Sequence, residues 1–210
     1  METINEGYFY HIYNRGAGKA DLFYSKRDYL EFIEKYFFYL FVSVETYAYC
    51  LLKNHFHFLI RVRTFEQQEE LFQFIKANYP KGNFYDDQFD TPKPFHASKQ
   101  FSHLMNSYTK SLNSRIDRSG TLVEGVFKRI KVSDENHLNH LVCYIHRNPI
   151  HHKLSNNYSA YPYSSFNQII SEGKTYLEKE KLLNQFGSEK NFIEAHQEFR
   201  MKLGDEYYLE

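Results

Sequence analysis

Two short segments carry side chains whose type and spacing suit chemistry. In the run from His55 to Arg63 (HFHFLIRVR), apolar and polar residues alternate. Read as a β-strand, it sends successive side chains to opposite faces. Phe56, Phe58, Ile60 and Val62 then form an apolar core face, while Lys53, His55, His57, Leu59, Arg61 and Arg63 share the other. Two imidazoles at i and i+2 on a strand lie about 6–7 Å apart at the backbone, close enough to share one divalent metal ion. Their face is expected to be wet and basic, suited to an anionic backbone. A His-x-His pair is more often two half-exposed histidines. The strict apolar alternation opposite and the cationic neighbours make the metal reading an equal competitor.

The second segment is a helix expected over 134–148. Leu138, Leu141, Val142 and Ile145 form its core stripe, and His137, His140, Tyr144 and Asn148 lie on an adjoining polar stripe at 100° per residue. Tyr144 and Asn148, at i and i+4, face the same way. A phenolate oxygen is a competent nucleophile that forms covalent intermediates. An amide oxygen four residues on could complete a metal site begun by two histidines. Tyr108 is the rival nucleophile, but it sits in the apolar stripe Phe101, Leu104, Met105, Tyr108, Leu112, Ile116 and reads as core.

These residues must be positioned by the elements around them. Residues 7–14 (GYFYHIYN) form an aromatic first strand ending at the Arg15-Gly16 turn signal. Residues 26–41 carry helical spacing, 43–52 a second strand and 55–63 the third. Residues 66–78 suggest a short helix, followed by an acidic, proline-containing loop or lid within the segment 64–97. Helical spacing returns over 98–117, and a fourth strand is expected over 125–132. Ser133 reads as the N-cap of the Tyr144 helix and Pro149 as its stop. Beyond 165 the chain is mostly helical and charged, with breaks at Gly173 and Gly187.

The order β-α-β-β-α-β is the ferredoxin-like pattern, an α+β fold whose antiparallel sheet has two helices on one face. The other face is left for a further helix or a ligand. Residues 1–168 are expected to form one domain, with an insertion at 64–97, and 169–210 a helical C-terminal extension.

Composition bounds the function. Lys plus Arg is 26 and Asp plus Glu is 26 in 210 residues, so net charge is zero and a globally basic coat is excluded. Any surface for an anionic partner such as nucleic acid must concentrate its cations. Arg15, Lys53, Arg61, Arg63, Lys128, Arg129, Lys131 and Arg147 are the candidates. The two cysteines, Cys50 and Cys143, exclude a disulfide framework and a Cys-rich zinc site. The N-terminus lacks a basic-then-apolar leader, and no run approaches ~18 apolar residues, so a cytoplasmic protein without membrane partners is expected. Aromatics, 20 Phe and 19 Tyr, are abundant enough both to fill a core and to make stacking platforms.

The segment Tyr49-Cys-Leu-Leu-Lys-Asn-His-Phe-His-Phe-Leu-Ile60 resembles the His-hydrophobic-His motif of single-tyrosine HUH transposases. Tyr144-Ile-His-Arg-Asn-Pro-Ile150 resembles the catalytic-tyrosine helix of their REP-associated branch. Tyr10-His-Ile-Tyr-Asn-Arg-Gly16, Glu124-Gly-Val-Phe-Lys128 and Tyr161-Pro-Tyr-Ser-Ser-Phe166 are similar to that branch as well, so the likeness runs over about 7–168. It implies that the domain over 1–168 is catalytic, that His55 and His57 bind Mg²⁺ or Mn²⁺ with Asn148 as third ligand, and that Tyr144 attacks single-stranded DNA to give a 5′-phosphotyrosine and a free 3′-OH. Hairpin or single-stranded DNA is the implied partner, and both monomers and homodimers occur among relatives. The donor set alone does not exclude zinc. The segment 64–97 and the tail after about 168 have no counterpart in the resemblance.

Three other readings stand beside this one. A non-catalytic single-strand-binding sheet would stack bases on Tyr10, Tyr13, Tyr47 and Tyr49. A metallohydrolase with His-x-His ligands would leave Tyr144 idle. A domesticated transposase with a host role has the same sequence signature as a mobile one.

Overall fold

The computed structural model describes residues 4–78 and 94–200. Four strands, β1 (Phe9–Arg15), β2 (Val44–Leu52), β3 (His55–Val62) and β4 (Lys128–Lys131), form one sheet in the order β2-β3-β1-β4. Every pairing is antiparallel. This is the ferredoxin-like arrangement, reached because α1 (Lys26–Leu40) and α3 (Ala97–Arg115) are crossovers on one face. The expected helix near 66–78 is α2 (Phe65–Asn78), while the loop that follows it lies outside the described residues.

The α1–α3 face is aromatic. Phe58 stacks on Tyr36 at 3.9 Å, Phe56 tilts against Phe32 at 5.2 Å, and Phe32 meets Tyr108 edge-on at 4.9 Å. The Tyr108 hydroxyl donates to the Leu22 carbonyl at 2.6 Å, so this tyrosine is core, as its stripe implied. Ser25 and Asp28 form a capping box at the start of α1. Asp28 and Glu31 also accept from Arg115 at 2.7 Å each, tying α1 to α3.

The opposite face is not left open to water. It is covered by α4 (Glu135–His151), the helix carrying Tyr144, which packs on β2 and β3. Two local expectations change here. The N-cap is Asp134, whose carboxylate accepts from the His137 amide at 2.9 Å, and Ser133 instead donates to that carboxylate. Pro149 does not stop the helix, which runs on to His151. Only two helical residues follow the proline, and the carbonyls of Asn148, Pro149 and Ile150 are taken by the amides of His152, Leu154 and Lys153.

The C-terminal helices α5 (Phe166–Ile170), α6 (Lys179–Gln185) and α7 (Glu189–Glu198) add Leu177, Leu182, Phe192 and Phe199 to the same hydrophobic core. Residues 163–165 lie along the outer edge of β2, where Leu51 donates to Tyr163 and Ser165 to the Tyr49 carbonyl. That edge is blunted, whereas β4 forms the opposite edge of the sheet.

Candidate metal and tyrosine centre

The face of β3 expected to be wet is buried. His55 is 8% exposed, His57 1%, and Tyr144 and Asn148 on α4 are fully buried. The reason is α4 itself. Its Tyr144-Asn148-His152 row, one residue per turn, lies against the imidazoles. The Tyr144 ring stands edge-on to His57 with centroids 5.9 Å apart, and the His152 ring lies 4.4 Å from His55. In sequence Asn148 is four residues from both Tyr144 and His152. Of the stripe partners of the sequence reading, His140 packs on Phe199, and His137 bonds Ser133 while its charge reaches His11.

Each β3 histidine has one ring nitrogen engaged and one bare. His55 Nδ1 is 2.8 Å from Asn54 Oδ1, and His57 Nδ1 is 2.9 Å from His11 Nε2. The Nε2 atoms of both are buried without a hydrogen-bond partner among the described residues, as are Asn148 Oδ1 and His152 Nε2. Asn148 spends its amide hydrogen on the Tyr144 carbonyl at 3.3 Å, which leaves the oxygen as the donor atom on offer. Buried polar atoms are rarely left in this state, since each costs about 1–3 kcal/mol. Nδ1 held and Nε2 bare in both rings is the pattern of imidazoles prepared for a cation.

The protonation states agree. Burial, with smaller contributions from the charges of His152 and Arg15, holds His55 down at about 3. Burial likewise keeps His57 well below the usual range and takes His11 to about 3. All three are neutral near neutral pH, with lone pairs available. Among the described residues no set of three His, Cys, Asp or Glu side chains could hold a metal, so His152 does not complete a triad with His55 and His57. The third donor would be the amide of Asn148, and two imidazole nitrogens with an amide oxygen are donor types that suit a small divalent ion.

The eight candidate cations separate into two groups. Arg15 pairs with Glu124 at 2.6 Å, Lys53 with Asp21 at 2.8 Å and Arg61 with Glu45 at 3.3 Å. Arg63 is buried, donating to the carbonyls of Phe41 and Val44 and to Glu178. Arg147 donates to the His196 carbonyl at 2.7 Å and lies over Tyr158. Lys128, Arg129 and Lys131 on β4 pair with no carboxylate among the described residues. The register places Lys128 opposite Tyr13, which is opposite His57, so one row crosses the sheet from its edge to the metal-type donors. Lys128 Nζ lies 5.7 Å from the Tyr13 ring and Lys131 Nζ 3.3 Å from that of Tyr8.

The remaining motif segments act as scaffold. Gly16 donates to Asn54 O at the turn before His55, and a Cβ there would overlap the Ala20 carbonyl oxygen. Glu124 returns to β1 through its amide on the Arg15 carbonyl. Tyr161 donates to the Leu51 carbonyl at 2.8 Å. Ser165 Oγ is 2.8 Å from His146 Nε2 and accepts from the Tyr49 amide at 2.8 Å. His146 Nδ1 in turn meets His196 Nε2 at 2.8 Å, joining α4 to α7. Sequence reading missed His11, His152 and this His146–His196–Ser165 chain. Alternation along β1 flags His11, but only the strand register brings it to His57. His152 is legible as the third member of an i, i+4, i+8 row.

The chain shares its fold with a solved REP-associated tyrosine transposase bound to a REP hairpin, at a TM-score of 0.58 and 14% identity over 84% of this chain and 87% of that one. No family model matches the sequence. No curated protein matches it either. No helix among the described residues is long and apolar enough to cross a membrane.

Proposed function

We propose that the protein is a metal-dependent transposase or nuclease of the single-tyrosine kind, cleaving and rejoining single-stranded DNA, with hairpin-bearing strands as substrates. The observation that carries this reading is a pair of adjacent imidazoles, His55 and His57 with ring centroids 5.2 Å apart, each with a bare, buried Nε2, beside the Tyr144 ring and under the helix whose Asn148 Oδ1 is also buried and bare. The likeness in fold to a transposase bound to a REP hairpin supports the choice of substrate.

His55, His57 and Asn148 would hold Mg²⁺ or Mn²⁺, which when bound polarises the scissile phosphate and stabilises the leaving oxygen. Tyr144 supplies the nucleophile. Its oxygen forms a bond to phosphorus, the bond from phosphorus to the 3′ oxygen breaks, and the proton lost by the phenol is matched by one gained at the 3′-OH. Attack by another 3′-OH reverses the step and rejoins the strand without ATP, because the phosphotyrosine conserves the ester bond. Lys128 offers a phosphate contact on the face that leads over Tyr13 to His57, and Arg129 and Lys131, which alternate to the other face, add their charge along the same sheet edge.

The stacking-module reading loses its platform, since Tyr10, Tyr13, Tyr47 and Tyr49 are all buried. The decisive test incubates the protein with a hairpin carrying a single-stranded flank, with Mn²⁺, and resolves the products on a denaturing gel. Wild type should yield a protein–DNA adduct. Tyr144→Phe should bind the DNA and yield none. An adduct that persists in the variant would refute the assignment of Tyr144, and cleavage without any adduct would favour a hydrolase.

A further inference from the structure

His11 lies on β1, on the same sheet face as Tyr13 and diagonally across from His57. It is fully buried. The pattern along this face is Phe9, His11, Tyr13, so an aromatic ring would satisfy packing at the middle position. An imidazole there adds only its nitrogens, and one of them is used: His11 Nε2 is 2.9 Å from His57 Nδ1, with the rings nearly parallel at 16° and 5.1 Å apart.

A histidine that binds a cation through Nε2 presents a lone pair there and must carry its hydrogen on Nδ1. In a buried site that N–H needs an acceptor, and leaving it bare costs about 1–3 kcal/mol. His55 finds its acceptor within its own turn, in Asn54 Oδ1 at 2.8 Å. His57 has no such neighbour in sequence; the atom facing its Nδ1 comes from another strand. We propose that His11 is a positioning residue for the metal centre, accepting the Nδ1 hydrogen of His57 through Nε2 and so fixing His57 in the tautomer and ring orientation that turn Nε2 toward the ion. This rests on the metal-site reading above and adds a fourth residue, outside the ligand set, on which that site depends.

The test is titration of the intact protein with Mn²⁺ by calorimetry, beside thermal melts without metal. His11→Phe keeps a ring and removes the acceptor, and it should weaken Mn²⁺ binding by about 10–100-fold. His11→Gln places an oxygen the same number of bonds from the backbone as Nε2 and should restore most of the affinity. Without metal, His11→Gln should melt near wild type, and His11→Phe should stay folded and lose no more stability than the one stranded His57 nitrogen costs. Unchanged affinity in His11→Phe would overturn the proposal, as would equal losses in Phe and Gln variants. A wild type whose Mn²⁺ binding is absent, or is unaffected by His55→Ala, would overturn the metal site itself and this role with it. A second measurement needs no variant: nitrogen NMR of the His57 ring in the Mg²⁺-saturated protein should show the proton on Nδ1, and finding it on Nε2 overturns the proposal.

Discussion

Replacing Ser165 by alanine should cost far more stability than losing one hydroxyl suggests. Ser165 Oγ joins three elements: it meets His146 Nε2 on α4 at 2.8 Å and accepts from the Tyr49 amide of β2 at 2.8 Å, from a segment laid along the sheet edge. Ser165 and His146 are fully buried and Tyr49 nearly so. The substitution leaves two buried groups bare, an imidazole nitrogen and a backbone N–H, at about 1–3 kcal/mol each, and only an oxygen-sized gap. The expected loss is therefore about 3 kcal/mol, within a range of ~2–6. For a chain of this size that lowers Tm by about 6–12 °C. Thermal and urea unfolding near neutral pH, without metal, measures it. Ser102→Ala, on an exposed helix face, serves as control and should stay within about 0.5 kcal/mol. In a His146→Phe background the same substitution strands only the Tyr49 amide, so the two changes should couple by about 1–3 kcal/mol. A loss below about 1 kcal/mol, or strict additivity, would refute the view that Ser165 fastens the tyrosine helix to the sheet.

Acidification should loosen the same junction. Burial holds His196 at about 4 and His146 well below the usual range, while both take up protons near 6.5 once unfolded. The unfolded state binds more protons below pH ~6.5, so stability is full above that value and falls as pH drops toward about 4, by ~3 kcal/mol from His196 alone. Urea unfolding across that window checks it, and a flat profile contradicts it. DNA affinity should fall with salt by about 0.7 in log K per phosphate contacted, and replacing Lys128, Arg129 and Lys131 together by alanine should reduce that slope by up to ~2. Arg61→Ala and Arg63→Ala should leave the slope unchanged, because both guanidiniums are already held by Glu45 and Glu178. A steeper loss of slope in the arginine variants would move the track to β3.

The sequence by itself determined a good deal here. The alternation of β3, the β-prone runs of β1 and β2 and the 3.6-residue stripes of α1, α3 and α4 are local patterns, and they specify the β-α-β-β-α-β order without knowledge of contacts. The pairing of His55 with His57, and of Tyr144 with Asn148, is likewise local, set by periods of two and four. What only the tertiary structure decided is which faces meet. Alternation shows that His55 and His57 share a face but not that α4 covers it, because a long-range helix can bury a polar face that its own strand pattern presents as wet. Register between strands brought His11 to His57 and Lys128 into line with Tyr13. No residue in β1 encodes its neighbour in β3, since register follows from the summed fit of both faces. The cations show the same division. Each is legible as a charge, yet whether it is spent on Glu45, Glu124 or Glu178 or left on the β4 edge depends on carboxylates as much as 115 residues away in sequence.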